Sequence, residues 1–462
     1  MTEKKLTIIS LDGHSAMRPE DWPTYLEKRF HDYLPALQEE NDAITRFNTY
    51  HLAQTHSEPQ LEVFDLDRAY RSGGYNGVYD RDIRLAQMDR EGIAAEFCFD
   101  GDPRILGMFF MSCNREYPQD LCNAGVKGYH RWLNDAFGPA KDRLIPVGIL
   151  GHAPWASMDD MLEEFDWMVE RGFRATSLPG FVTYPGHRPL FDRSWDPLWA
   201  RCEEAGVALW VHAGHGEKQG ELGREMLRVG KAINEDGSNF VGLVREHISD
   251  LFGGNVFTCL KPRRAMWQLM MGGVFDRFPR LKLVMNEVYG DWIPGTLRFL
   301  DKEFEAHRGE FACERRPSDY WHSNCLTSLS FPRKCEIALR HEVGIDTVTF
   351  GRDYPHPEGT WPNTKLWLRD VFTGVPVNEV RAILGDNVIR LLNLDRDHLE
   401  AVAARIGPSV EEITEGPPVS RDLIAHFDKR GQYLQEPERD EQQVPAMRVL
   451  MREDLWLSHS AA

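Results

Sequence analysis

The feature that most constrains this fold is a repeated succession of helical segment, glycine and apolar run. Glycine stands between a predicted helix and the next apolar run at Gly92, Gly172 and Gly206. Glycine tolerates the left-handed backbone that ends a helix and turns the chain into a strand. Helices that alternate with strands in this way are typical of a parallel sheet with helices packed on it.

Eight apolar runs have the length of a strand, and eight parallel strands are enough to close a (β/α)8 barrel. We therefore predict an α/β fold of the TIM-barrel type. The predicted strands are Thr7–Ser10, Ala94–Phe99, Leu144–Leu150, Ala175–Leu178, Ala208–His212, Leu283–Glu287, Leu326–Ser330 and Thr347–Gly351.

Two long segments and the C-terminal region interrupt this regular pattern. Residues 18–79 separate the first two strands and residues 217–271 follow the fifth, although loops longer than about 15 residues are uncommon in compact domains. We expect both to lie at the loop face, as a lid, a pocket wall or a dimer contact. We assign residues 1–394 to the barrel, with 18–79 as its insertion, and residues 395–462 to a helix and an extended arm that packs on the barrel or on a neighbouring subunit.

Composition argues against several classes of protein. The formal net charge of −18 argues against a nucleic-acid surface, which needs clustered lysine and arginine. No run of about 18 uncharged apolar residues occurs in the sequence, so we expect no membrane span. The sequence shows no signal peptide, and its eight cysteines form no C-x-x-C pair, as expected of a reduced cytoplasmic protein. We expect a cytoplasmic homodimer that acts on a small molecule.

Carboxylate and imidazole residues stand at the ends of four predicted strands. Asp12 and His14 follow the first strand, His212 and Glu287 end the fifth and sixth, and Asp353 follows the eighth. A parallel barrel gathers these strand ends at one face, where such enzymes carry out their chemistry. Zinc, iron(II) and manganese all accept these ligand types. The five distant residues are therefore candidates to surround one metal ion.

Each of these residues also has an ordinary structural interpretation. The Asp-Gly pair at Asp12 more often forms a turn, and His212 can be satisfied by a backbone carbonyl. Asp353 can cap a helix or form a salt bridge with the adjacent Arg352. His215 lies three positions beyond His212, where a contact with the substrate is a better expectation than metal binding.

Five motifs stand in order along the chain: Asp12-Gly-His14, Val211-His212-Ala-Gly, Phe278-Pro-Arg-Leu-Lys-Leu-Val, Trp292-Ile-Pro and Gly351-Arg-Asp-Tyr-Pro-His-Pro-Glu-Gly. Together they resemble the amidohydrolase-related family of the amidohydrolase superfamily. The resemblance is to the branch that includes aminocarboxymuconate semialdehyde decarboxylase and γ-resorcylate decarboxylase, and it covers about residues 7–394.

The resemblance implies a (β/α)8 barrel with one divalent metal ion at its C-terminal face. The implied ligands are Asp12, His14, His212 and Asp353. The chain departs from the pattern at the sixth strand, where these decarboxylases carry a histidine used in proton transfer and this chain has Glu287. No lysine ends the fourth strand, so we expect no carboxylated lysine bridging two metal ions.

The carboxylates of Asp12, Glu287 and Asp353 carry three negative charges when ionised, and one divalent ion offsets only two. Like charges crowded in a dry site raise one pKa strongly. Either Glu287 or Asp353 therefore holds a proton and acts as an acid or base, or a second ion shares a bridging carboxylate. The resemblance favours one ion of zinc, iron or manganese, with two ions as the alternative.

We expect a metal-dependent hydrolase that cleaves an amide, ester, lactone or thioester of a small organic acid derivative, with Asp353 taking the proton of a metal-bound water. The alternative is a non-oxidative decarboxylase of an aromatic or unsaturated carboxylic acid, with Glu287 as the acid. A catalytically inactive barrel is a third hypothesis, and it requires a degraded ligand set. The remaining candidates are His215 as a catalytic residue and Arg352, His247 and His356 as substrate-binding residues.

Overall fold

Eight parallel strands form the centre of the computed structural model, which describes residues 5–102, 104–109, 117–184, 186–218, 221–247, 260–437 and 440–460. Each of the eight predicted apolar runs overlaps one of these strands, with ends that differ by no more than two residues. The strands are β1 (Ile8–Ser10), β2 (Ile93–Asp100), β3 (Leu144–Gly148), β4 (Ala175–Ser177), β5 (Ala208–Val211), β6 (Leu283–Asn286), β7 (Cys325–Ser330) and β8 (Val348–Gly351).

The sheet follows chain order from β1 to β8, and each neighbouring pair is parallel. Its two ends are joined just beyond the strands, because Leu11 N donates to Phe350 O at 2.9 Å and Asp353 N donates to Asp12 O at 3.0 Å. These bonds bring β1 beside β8. The predicted (β/α)8 barrel is therefore confirmed.

Burial on both faces explains the composition of the strands. Apart from Asp100 at the end of β2, all of their residues are buried. A parallel sheet that is covered by helices on one face and filled with side chains on the other needs continuous apolar runs rather than alternating ones. Inside the barrel, the rings of Phe97 and Trp210 stack with centroids 5.3 Å apart.

Helices connect the strands, and local capping sets their ends. The Asp80 carboxylate accepts from Asp82 N and Ile83 N at the start of one helix, and Gly92 ends that helix at φ 78°. The connecting helices are Arg81–Glu91, Gln119–Phe137, Met158–Glu170, Asp196–Ala205, Lys261–Met271, Val274–Arg277, Ile293–Ala306, Pro317–Asn324, Lys334–Ala338, Arg340–Val343, Thr364–Phe372, Val377–Arg381, the π-helix Ala382–Asp386 and Asn387–Leu391.

The two long segments meet on the side of the barrel where the strands end. Residues 18–79 contain the helices Trp22–Tyr25, Leu34–Ala53 and Glu58–Phe64, and the segment after β5 contains Glu221–Ala232 and Phe240–His247. Part of that second segment, residues 219–220 and 248–259, lies outside the described residues. Phe47 packs in one cluster with Val229, Ile233 and Phe240, and Lys231 pairs with Glu39 at 2.9 Å. The described parts of the two segments therefore pack together as one wall.

The C-terminal region packs on the barrel through the helices Arg396–Ile406, Val410–Thr414, Arg421–Gly431 and Asp440–Ser460. Arg264 and Trp267 both donate to the Asp454 carboxylate, which attaches the last helix. None of the helices in the described ranges is long and apolar enough to cross a membrane.

The wall gives a test of close packing with a matched control. A Cβ on Gly230 would lie 2.2 Å from Ala43 O, whereas a Cβ on Gly242 would meet nothing within 4 Å. Both glycines are in helices. We expect Gly230→Ala to destabilise the chain by about 1–3 kcal/mol through overpacking, and Gly242→Ala to leave it unchanged or slightly more stable because alanine favours a helix. Urea denaturation measures both, and equal effects would show that the two helices do not approach this closely.

Candidate metal centre

Imidazole and carboxylate side chains converge where β1, β5, β6 and β8 end. His14 Nε2 lies 3.1 Å from Asp353 Oδ1 and 3.5 Å from Asp12 Oδ1. His212 Nε2 lies 3.4 Å from Asp12 Oδ1 and 3.2 Å from Glu287 Oε2. These contacts join all five of the metal ligands considered from the sequence, and four of them (Asp12, His14, His212, Glu287) place their donor atoms within 4.8 Å of one another.

The loop after β8 adds two further groups to this centre. The ring of His356 stacks on that of His14, with centroids 4.1 Å apart. Glu358 lies 3.8 Å from His356 Nδ1 and joins Glu287 and Asp353 in a second set of donor atoms within 4.8 Å. Glu358 was not singled out from the sequence, although it lies in the motif that contains Asp353.

Backbone strain directs two of the carboxylates into the cluster. Glu287 and Asp353 have φ values of 51° and 53°. This left-handed region is uncommon for residues other than glycine, and it costs about 1–3 kcal/mol where the surrounding structure enforces it. At the end of β6, the strained backbone places the Glu287 carboxylate in contact with His212.

Burial and mutual repulsion shape the protonation of the acidic groups. Burial, together with the charges of Glu287, Asp12 and Glu358, raises the pKa of Asp353 well above its usual range. Burial likewise raises the pKa of Glu287, with Asp12 and Glu358 adding to it and His212 opposing it. The pKa of Asp12 is lowered despite its burial, because His212 and His14 lie close to it and Ser330 donates a hydrogen bond to it.

The two imidazoles respond in opposite directions. Burial and the nearby His356 lower the pKa of His14 well below its usual value. Burial also acts to lower the pKa of His212, but the charges of Glu287 and Asp12 outweigh it and raise the value. A neutral imidazole can bind a metal ion directly, which suits the side chain of His14.

The donor set fits a divalent cation. Two imidazoles and three carboxylates are the mixed nitrogen and oxygen ligands that zinc, iron and manganese accept. Asp353 is fully buried, and its Oδ2 has no hydrogen-bond partner in the described structure. A buried carboxylate oxygen without a partner is costly, and a cation would remove that cost.

A buried ion network lies beneath the ligands. Arg352 donates to Glu96 through Nε at 2.5 Å and Nη2 at 2.8 Å, and Arg84 Nε donates to Glu96 Oε2 at 2.6 Å. Arg84 Nη1 also donates to His14 O at 2.7 Å. Arg352 was predicted to contact the substrate, and these contacts do not support that role, because the side chain is fully buried and bonded to Glu96.

The two remaining histidine candidates occupy different surroundings. His215 is buried against Phe181, and burial with the nearby His187 and Arg264 lowers its pKa to about 3, so its ring is neutral. Its Nδ1 has no partner in the described structure. His247 lies near the carboxylates of Glu225 and Glu246 on the helices after β5, and it belongs to none of the donor groups.

An aromatic surface lies beside His212. Phe99 stacks on the His212 ring with centroids 5.0 Å apart, and Phe181 lies 5.7 Å from Phe99. His152 stacks on Phe181 at 4.0 Å and contacts Ser177 Oγ through Nδ1 at 3.1 Å. Phe99, Phe181 and His152 were not predicted from the sequence. Phe99 lies in an apolar run, where a phenylalanine is indistinguishable from an ordinary core residue.

The barrel and its donor cluster define a metal-dependent TIM-barrel enzyme. Residues 59–394 match the model of the amidohydrolase family Amidohydro_2. This chain therefore belongs to the amidohydrolase family, as its motifs indicated.

Three relatives are similar over most of their length. The 2-amino-3-carboxymuconate-6-semialdehyde decarboxylase of Dictyostelium discoideum is 22% identical over 396 residues, which cover 84% of this chain and 92% of that protein. The structure of 2,6-dihydroxybenzoate decarboxylase from Rhizobium has a TM-score of 0.54 at 18% identity, over 84% of this chain and 99% of that one. The structure of 5-carboxyvanillate decarboxylase from Novosphingobium aromaticivorans, solved with bound manganese, has a TM-score of 0.54 at 17% identity. The match covers 85% of this chain and 99% of that one.

These comparisons overturn one expectation and support another. The expectation of hydrolysis was wrong, because the relatives named above are decarboxylases. Hydrolysis and decarboxylation can use similar metal ligands, so the ligand pattern could not separate the two reactions. The buried donor cluster supports a divalent metal ion at this site.

Removal of one imidazole tests the metal centre. We expect His14→Ala to weaken Mn²⁺ binding at least about tenfold, since even the loss of a group that only supports a ligand has an effect of this size. His341→Ala is the control, because the His341 side chain is 59% exposed. Isothermal titration of metal-free protein with MnCl₂ measures both affinities. Unchanged binding in His14→Ala would exclude His14 as a ligand.

The ion network gives a stability test. Glu96→Gln leaves two buried arginines without a carboxylate, and breaking a buried ion pair costs about 3–5 kcal/mol. We expect a large fall in the urea midpoint. Glu305→Gln is the control, since Glu305 pairs with Arg308 and Arg316 on the surface and should change the midpoint little. A small effect of Glu96→Gln would show that the network does not stabilise the fold.

Proposed function

We propose that this enzyme is a metal-dependent, non-oxidative decarboxylase of an aromatic or unsaturated carboxylic acid. The observation that carries the proposal is the protonatable Glu287 carboxyl group beside a metal-ligand cluster, at the position where the resembled decarboxylases use a histidine. The names of the relatives give the reaction class. We favour one ion, with manganese as the first metal to test because a relative binds it.

A divalent ion bound here would supply an anchor for the substrate carboxylate and a neighbouring oxygen. Burial raises the pKa of Glu287, which favours its protonated form, and Glu287 is the group that would donate a proton to the carbon that bears the carboxylate. The bond from that carbon to the carboxylate then breaks, carbon dioxide leaves, and the bonding electrons restore the double bond whose electrons had taken up the proton. Solvent returns the proton to Glu287.

A histidine and an aromatic surface also suit the same substrate. His356 Nε2 has no partner in the described structure, and Glu358 helps to raise the His356 pKa despite burial. A protonated His356 can donate a hydrogen bond to the substrate carboxylate. Phe99 and Phe181 give the site an apolar side, and an apolar surface disfavours the charged carboxylate more than neutral carbon dioxide. The 5-carboxyvanillate decarboxylase binds 3-methoxy-4-hydroxy-5-nitrobenzoic acid, a substituted hydroxybenzoate. Hydroxybenzoates are therefore the first class of substrate to assay.

The test of this proposal is a decarboxylation assay with hydroxybenzoates and unsaturated dicarboxylates on the Mn²⁺-loaded enzyme. We expect carbon dioxide release, and in D₂O one deuterium at the carbon that lost the carboxylate. Mass spectrometry of the product measures the deuterium. Release of carbon dioxide without this label would contradict direct protonation at that carbon, and turnover of these acids without carbon dioxide release would overturn the proposal.

The role of Glu287 is tested separately. We expect Glu287→Gln to lower kcat by about 10²- to 10⁴-fold, because the amide cannot donate the proton. Metal content is measured on the same sample, since Glu287 is also a candidate ligand. Glu310→Gln is the control, on a side chain that is 65% exposed. Near-normal turnover in a metal-replete Glu287→Gln enzyme would assign the acid to another group.

The predicted homodimer remains a prediction that analytical ultracentrifugation would check.

A further inference from the structure

The loop after β8 carries much of the site, yet it has little regular structure. Residues 353–361 include Asp353, His356 and Glu358, and the loop's own bonds include Gly359 N to His356 O at 3.1 Å. Thr360 N donates to Arg352 O at 2.9 Å. Such a loop keeps a fixed geometry only when its backbone groups have partners elsewhere.

One side chain from the C-terminal region bonds to three carbonyls of this loop. Arg430, in the helix Arg421–Gly431, donates from Nε to Pro357 O and from Nη2 to Gly359 O. Its Nη2 also donates to Trp361 O at 2.9 Å. The helix itself lies close, since a Cβ on Gly431 would be 3.1 Å from Glu358 O. The fork of the guanidinium group therefore spans the loop.

The insertion completes the surroundings of Arg430. Phe64, in the helix Glu58–Phe64, stacks on His426 with centroids 4.4 Å apart, and its ring centroid lies 5.4 Å from the Arg430 guanidinium. His426 and Arg430 are neighbours on the same helix, with Nε2 and Nη1 3.5 Å apart. The 18–79 insertion and the C-terminal region thus meet at the loop that carries Asp353.

The charge of Arg430 is buried. The residue is 8% exposed, and among the described residues the carboxylates of Glu358 and Asp353 act on it through their charge, without a hydrogen-bonded ion pair. Burial lowers the pKa of Arg430 to about 10, while the carboxylates of Glu358 and Asp353 act to raise it, so the group remains protonated at neutral pH. A buried charge is costly unless hydrogen bonds and nearby opposite charge compensate it, and here the loop carbonyls and the metal centre do so.

We propose that Arg430 is a positioning residue of the metal centre, which holds the loop so that Asp353, His356 and Glu358 face the donor cluster. The C-terminal region is then part of the active site and not only a covering on the barrel. Arg430 lies outside residues 59–394, the part of the chain that matches the family. The proposal does not depend on the reaction catalysed.

The test is Mn²⁺ affinity, measured by isothermal titration of full-length, metal-free protein. We expect Arg430→Met to weaken Mn²⁺ binding about 10- to 100-fold, as for other groups that orient metal ligands. A decrease in Mn²⁺ affinity is diagnostic, because the loss of a positive charge alone would strengthen the binding of a cation. Arg430→Lys keeps the charge but not the fork, and we expect an affinity between those of Arg430→Met and the natural protein.

Asp454→Asn is the matched control, because it loosens the last helix at Arg264 and Trp267 without touching the loop. We expect it to lower Tm and leave Mn²⁺ affinity within about twofold. Amide hydrogen exchange should accelerate in residues 354–361 of Arg430→Met and not in those of Asp454→Asn.

Two results would overturn the proposal. One is a Mn²⁺ affinity of Arg430→Met equal to that of the natural protein. The other is a loss of Mn²⁺ affinity in Asp454→Asn as large as that in Arg430→Met. If Arg430→Met does not fold, Arg430→Lys decides: weakened Mn²⁺ binding at a Tm no lower than that of Asp454→Asn supports the role, and natural affinity rejects it. A failure to find decarboxylation leaves these measurements unchanged, because they use only the protein and manganese.

Discussion

Crowding of acidic groups in a dry site is the constraint on which the rest of this structure depends. Asp12, Glu287, Asp353 and Glu358 gather at the end of the barrel, where charges are screened less than in water. Removing them from solvent carries a penalty that only opposite charge, protons and hydrogen bonds offset. The imidazoles of His212 and His356 and the guanidinium of Arg430 lie at the same place and can supply positive charge, and a divalent ion would add to it. The His14 imidazole adds a contact with Asp353.

The buried ion network beneath the site also fixes the positions of the metal ligands. Arg84 and Arg352 share the single carboxylate of Glu96, so a net positive charge lies under the acidic cluster. Arg84 also holds the His14 carbonyl, and Arg352 precedes Asp353 in the chain, so the network fixes the backbone of both ligand segments. A Cβ on Gly13 would lie 2.5 Å from Glu96 Cδ, which explains the glycine between Asp12 and His14. The same contacts therefore stabilise the fold and position the ligands.

The fold and the convergence of the site could be predicted because both follow from local patterns. Apolar runs and helix-ending glycines give eight strands, and a parallel barrel places the strand ends together. Contacts between distant segments could not be predicted in this way. Nothing in the sequence pairs Arg352 with Glu96, 256 positions away, or brings Arg430 to the loop after β8. The reaction was also beyond reach, since the ligands favour neither hydrolysis nor decarboxylation, and the relatives provided the distinction.

The acidic residue at strand six changes what the rest of the site has to supply. A histidine can carry a proton as a cation, whereas Glu287 carries one only as a neutral acid, so Glu287 brings no positive charge to the metal ligands. Burial and the neighbouring carboxylates raise the pKa of Glu287, and this favours its protonated form. The missing positive charge can come from His356 and from Arg430, whose guanidinium is held in place by carbonyls rather than by an ion pair. An arginine neutralised by its own carboxylate would contribute little to the field at the metal centre. Because no carboxylate of the described residues pairs with Arg430, its charge would act on the metal centre as well as holding the loop.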